Sequence, residues 1–211
     1  GSDLAAISGF FDGSSWHKPV DGLREDTKGW LLNTVGFHLR ALGRLAEVAQ
    51  PMQAGLDNFI VQKNWKNAAA QASNLSELTL TLGDVTQALA YAEQSVSLAD
   101  QGGDGFMREV TRSKLADSQH QAGSLTESGA TFHELEEMQK KRQPEFSLLY
   151  SVRGFLYCDL LLSQGDYAEV ERRAIQMLKW EEGEELSLLT VALETLALGR
   201  AQLLHLQHDP Q

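Results

Sequence analysis

Cysteine is almost missing: Cys158 is the only one in 211 residues. A lone thiol excludes an internal disulfide and leads us to expect a reducing, cytoplasmic setting. Positive charge is also scarce, with 18 Lys and Arg against 29 Asp and Glu and a net charge of −11. That balance argues against nucleic acid or an anionic membrane surface as the main partner and leaves proteins, peptides and small ligands. No apolar run approaches the ~20 residues of a membrane span. The opening "GSDLAAISGFFDG" lacks the basic start of a signal peptide. Gly1-Ser2 reads as a cloning remnant, and both ends look cut, so a fragment of a larger regulatory protein is expected. Strand-like alternation is missing throughout. What is present is a hydrophobic content of 42%, enough for a continuous core in one domain or two.

Four glycines have matching surroundings: "ALGRLAEVAQPM", "TLGDVTQALAYA", "QAGSLTESGATF" and "SQGDYAEVERRA". They are Gly43, Gly83, Gly123 and Gly165, at intervals of 40, 40 and 42 residues. Around Gly83, Ala68, Ala72, Leu75, Leu78 and Leu82 precede it at helical spacing, and Val85, Ala88, Leu89, Ala92, Val96 and Ala99 follow it. A glycine at such a junction closes the first helix in a left-handed conformation, and the second helix folds back. Seven residues before each elbow stand the small residues Gly36, Ser76, Ala116 and Cys158; five after stand Val48, Ala88, Ser128 and Val170. Both sets are expected to lie where the two helices of a hairpin meet. The segments "QKNWKN", "DQGGDGF", "KKRQPEF" and "WEEGEEL" read as the surface links between hairpins.

This register resembles the tetratricopeptide (TPR) repeat family over about residues 29–206: a small residue in the first helix, glycine at the elbow and a small residue in the second. The large aromatic of the second helix survives as Phe132, and the period is longer than the family's by about six to eight residues. The resemblance implies an all-α, right-handed solenoid of stacked antiparallel hairpins, about four and a half repeats, over residues 29–211. Long-period variants of this kind are familiar in signal-transduction ATPases and transcription activators. The stretch "LSLLTVALETLALGRAQLLHLQ" resembles one further first helix, with Gly199 in the small-residue slot. A half repeat leaves an apolar face that a neighbour normally covers. Residues 1–28 are expected to form an N-terminal cap in which Phe10, Phe11 and Trp16 pack on the first pair.

Motifs of catalysis are missing too. There is no lysine-bearing phosphate loop and no His-Glu-x-x-His pair. His205 and His208, three apart on a helix, are better read as surface residues than as metal ligands. Cys158 is better read as a packed thiol than as a nucleophile. The acidic runs "ELEEMQ" and "KWEEGEEL" read as solvated charge. No cofactor or metal is expected.

One constellation follows the repeat. Glu77, Asp117 and Asp159 each lie six residues before an elbow, where the first repeat has Phe37. First helices line the concave face of a stacked-hairpin solenoid. The expected stripe is Asn33, Phe37 and Arg40; Ser73, Asn74, Glu77 and Thr81; Ser113, Asp117, His120 and Gln121; then Phe155, Asp159 and Leu162. Two readings stay open. In one, Asn33, Phe37, Arg40, Asn74, Glu77, Asp117, His120, Phe155 and Asp159 form a non-catalytic, partly acidic groove that takes a cationic or donor-rich segment of a protein partner. In the other, the acids pair with nearby cations such as Arg112 and Arg153 and fix the helices. A ligand-sensing regulatory domain of a signalling ATPase is the alternative function.

Overall fold

A computed structural model describes residues 2–13, 15–181 and 187–208. Among them the regular elements are helices, and the one β-bridge joins Phe11 to Pro19. The helices are α1 (Ser2–Ile7), α2 (Glu25–Ala41), α3 (Ala49–Val61), α4 (Trp65–Thr81), α5 (Val85–Gly102), α6 (Gly105–Gln121), α7 (Leu125–Arg142), α8 (Ser151–Ser163), α9 (Tyr167–Glu181) and α10 (Leu188–His208). No described helix is long and apolar enough to cross a membrane. The chain falls into two compact units, Gly1–Ser118 and Gln119–Gln211.

All four predicted elbow glycines have positive φ: +71° at Gly43, +86° at Gly83, +80° at Gly123 and +81° at Gly165. The hydrogen bonding shows why. At Gly83 the glycine N–H donates to Leu80 O (3.0 Å) and the next N–H, of Asp84, donates to Thr79 O (2.9 Å). Two carbonyls that the end of α4 would leave bare are thereby satisfied. Asp84 then turns its side chain to accept from Gln87 N (3.0 Å) and caps α5. One dipeptide stops a helix and starts the next. The first and third elbows differ: Arg44 offers no acceptor and a 3-10 turn, Leu45–Glu47, precedes α3, and the Ser124 side chain makes no cap bond to α7.

The predicted hairpin contacts are buried. Val48, Ala88, Ser128 and Val170 are all 0% exposed, as are Ala116 and Cys158. At Gly36 a β-carbon would stand 2.8 Å from Met52 Cγ, so a larger residue there would force the Met52 side chain to shift. Burial, then the Glu194 carboxylate, push the Cys158 thiol up to about 12.

In the first unit α2 packs on α3, α3 on α4 and α4 on α5 around Leu32, Leu39, Leu56, Leu75 and Leu78. Ser76 and Ser118 hydroxyls, 3.0 Å apart, join α4 to α6. Phe11 and Trp16 meet edge to face at 5.5 Å and pack on this core, as expected, but Phe10 is 45% exposed and takes no part. Leu82, assigned above to the apolar run of α4, is also exposed, because it sits at the elbow beyond the last helical turn.

In the second unit α8, α9 and α10 pack together around Cys158, Val170, Ala174, Met177, Ala197 and Ala201. Phe132 of α7 stacks on Tyr157 of α8 at 4.9 Å, and the Arg173 guanidinium of α9 lies 4.4 Å over the Tyr157 ring. Arg173 also forks onto Glu136 of α7 (2.7 and 3.2 Å) and donates to Glu169 (2.7 Å), and Glu136 accepts from Leu149 N (3.1 Å). Of the "WEEGEEL" link, residues 182–186 lie outside the described residues.

Candidate functional site

Five of the predicted stripe residues come together in the first unit. Asn33, Phe37 and Arg40 from α2 face Asn74 and Glu77 from α4 across a cleft of about 710 Å³, with Met52 of α3 also lining it. A second cavity of about 330 Å³ shares Asn33 and Asn74 and is also lined by Trp30, Phe59, Asn67 and Ala70. The two form one trough between α2 and α4, with the shared asparagines at its waist.

The helical period accounts for the lining. Trp30, Asn33 and Phe37 recur at spacings of three and four on α2, and Asn67, Asn74 and Glu77 fall on a like stripe of α4. Their small or apolar neighbours Val35, Gly36, Leu75 and Ser76 turn inward. Trp30 is 58% exposed and Phe37 68%, an unusual investment of aromatic surface in water.

The acid of this trough is not open charge. Arg40 Nη2 donates to Glu77 Oε1 at 2.7 Å and Lys114 Nζ of α6 stands 3.0 Å from Glu77 Oε2. Partial burial works to raise the Glu77 carboxyl, but Lys114 and Arg40 outweigh it and hold it below the usual carboxylate range. Each oxygen has its cation, so the wall is lined by an ion triad and by carboxamides.

The other predicted residues lie elsewhere. Asp117 is half-buried on α6. In the second unit, Asp159 receives Arg200 at 2.7 Å, His120 Nδ1 lies 3.9 Å from its other oxygen, and His120 Nε2 is 3.1 Å from Ser163 Oγ. Phe155 packs against the core of that unit. Ser73, Ser113 and Leu162 are buried. Glu77 takes Arg40 and Lys114 and Asp159 takes Arg200, while Arg112 forks onto Asp100 of α5 (3.1 and 3.1 Å) and Arg153 lies 5.9 Å over the Tyr150 ring. His205 Nδ1 is 3.4 Å from Glu171 Oε1, and the His208 side chain lies outside the described residues.

Trp30, Asn67 and Lys114 belong to the site and were missed from sequence. Trp30 stands seven residues, about two turns, before Phe37 and so shares its face. Arg40 and Lys114 stand 37 residues to either side of Glu77, one period less about one helical turn. No group of three or more potential metal-ligating side chains occurs among the described residues. No family model and no curated protein matches the chain.

Proposed function

We propose that this chain is a non-catalytic, cytoplasmic interaction scaffold of TPR-like architecture that binds an extended segment of a partner protein in the trough between α2 and α4. The observation that carries the reading is the pairing of exposed Trp30 and Phe37 with Asn33 and Asn74 at the waist between them. A carboxamide both donates and accepts, which matches a peptide backbone. Aromatic faces supply the apolar contact that anchors such segments.

The spacing sets the ligand. Trp30 and Phe37 are seven residues apart on one helix, about 10 Å. A chain in the polyproline II conformation covers that distance in about three residues and returns every third side chain to the same face. The segment therefore carries two apolar anchors three positions apart, with its intervening amides on Asn33 and Asn74. Because Arg40 and Lys114 neutralise Glu77, positive charge in the segment is not the selecting feature, and the cationic preference expected from sequence is revised.

The hairpin register, with its positive-φ elbows and buried small residues, supports a right-handed solenoid of four hairpins and a terminal helix. A second reading, a small-molecule sensor within a larger signalling ATPase or transcription activator, draws support from the cleft volume, which falls in the range of about 300–1,000 Å³ typical of ligand sites.

The test is a displayed library of random dodecapeptides selected on the chain. Enriched peptides should share two apolar residues three apart, and Asn33→Ala/Asn74→Ala should weaken them about tenfold or more without changing the melting temperature. Enrichment without that pattern, or equal binding to the double variant, would sink the proposal.

A further inference from the structure

Helix α10 is apolar almost all round. One face, with Thr190, Glu194, Ala197 and Ala201, is buried in the second unit. The opposite face runs Leu189, Ala192, Leu196, Gly199, Leu203 and Leu206, and every one of these residues is exposed. The four leucines of this face are 51–71% exposed, and a β-carbon built on Gly199 would meet nothing within 4 Å. A helix that is hydrophobic all round is ordinarily covered on all sides. The spacing of the open face, alternating three and four residues, is that of a helix-pairing seam.

We infer that this face pairs with the same face of a second copy of the chain, the two α10 helices running antiparallel about a two-fold axis between residues 197 and 198. The seam is self-complementary under that operation. Leu196 meets Gly199 of the second copy, Ala192 meets its Leu203, and Leu189 meets its Leu206. Each small residue thus receives a leucine, as knobs into holes require, and the two-fold makes every contact twice.

Charge permits the pairing. The seam contains no ionisable residue. Of the charged groups on α10 within the described residues, Glu194 is buried, Arg200 is engaged by Asp159 at 2.7 Å, and His205 turns toward Glu171. Size limits its strength. The seam spans eighteen residues, from Leu189 to Leu206, about 26 Å of helix. A single helix pair of that length buries less than the roughly 800 Å² per partner of a stable interface. The dimer is accordingly weak, with a dissociation constant of about 10–100 μM. Two bodies of charge −11 repel, so added salt tightens it.

Sedimentation equilibrium of the 211-residue chain tests this. The wild type should fit a monomer–dimer equilibrium whose constant tightens about threefold or more as salt is raised from about 0.05 to 0.5 M. Leu196→Glu, which sets a carboxylate into the seam, should weaken association about tenfold or more with an unchanged circular dichroism spectrum. Gly199→Leu is the decisive variant. Its β-carbon meets nothing in the monomer and the exposed side chain adds apolar surface, yet it fills the hole that receives Leu196, and it should also weaken the dimer about tenfold. A Gly199→Leu chain that associates as tightly as the wild type, or more tightly, overturns the pairing, because the face would then be merely adhesive. A wild type that stays monomeric at about 300 μM overturns it too and leaves the stripe to some other helix.

Discussion

Arg173→Met removes a buried cation and keeps much of its volume. The Arg173 and Glu136 side chains are 7% and 8% exposed, so solvent screens their contact little. The substitution strips Glu136 of contacts at 2.7 and 3.2 Å and leaves it with Leu149 N at 3.1 Å and Lys140 Nζ at 3.9 Å. Breaking one side of a buried pair costs about 3–5 kcal/mol. Lys140, whose side chain is 38% exposed and already holds Glu137 at 2.8 Å, can shift toward Glu136 and moves the cost to the lower end. Loss of the cation over Tyr157 adds about 1 kcal/mol. The total, about 3–4 kcal/mol, corresponds to a drop in melting temperature of about 6–16 °C for a chain of this length. Glu136→Gln should cost less, about 1–2 kcal/mol, because the amide oxygen still accepts from Leu149 N and Arg173 keeps Glu169 at 2.7 Å. The double variant should lie near Glu136→Gln alone, since it leaves no orphaned charge. Thermal unfolding followed by far-ultraviolet circular dichroism measures all three. An Arg173→Met chain destabilised by less than about 1 kcal/mol, or a double variant equal to the sum of the singles, refutes the reasoning.

The elbows give a pair of opposite outcomes in urea unfolding. Gly83→Val should cost about 1–2 kcal/mol through backbone strain alone, since nothing lies within 4 Å of the added carbon, whereas Lys63→Gly should gain about 0.5–1 kcal/mol by relieving a non-glycine φ of +55°; midpoints unmoved at unchanged slope would show both wrong. For pH, the Glu77 carboxyl is depressed in the folded state, so its contribution is complete above the ordinary carboxyl pKa of about 4.3 and is lost as pH falls through the lower native value. Glu77→Gln should flatten the acid side of the stability curve by at most about 1 kcal/mol, because the Glu77 side chain is 39% exposed. An acid side as steep as that of the wild type would mean that the triad contributes nothing.

Helix positions and elbows were legible because they depend on local chemistry that repeats. Gly83 caps by its own φ, and Ala88 is buried by its place in a 3.6-residue period. One turn escaped that logic. Lys63 closes α3 with the same hydrogen bonds as the glycines, Lys63 N to Ile60 O and Asn64 N to Phe59 O, both 2.9 Å. A lysine in a left-handed turn gives no sequence signal of it. The candidate site was half legible. The stripe of α2 and α4 followed from helical phase, so Asn33, Phe37, Asn74 and Glu77 were named together. Which cation takes which acid did not follow, because a long side chain chooses among neighbours on several helices. Arg112 looked well placed for the stripe, yet Asp100 on α5 claims it.

The shared residue at the elbow limits how the chain can change in length. Asp84 both ends α4 and begins α5, so one residue inserted after Gly83 separates the two caps and turns α5 by about 100°. Ala88 would swing away from α4 along with every residue behind it. The outer connections carry no such double duty: Gly103 and Asp104 suffice between α5 and α6, while residues 143–150 join α7 to α8. An insertion in those connections should therefore cost less than one at Gly83–Asp84 or Gly165–Asp166, and the interval of 42 residues between Gly123 and Gly165 encloses the longest of them.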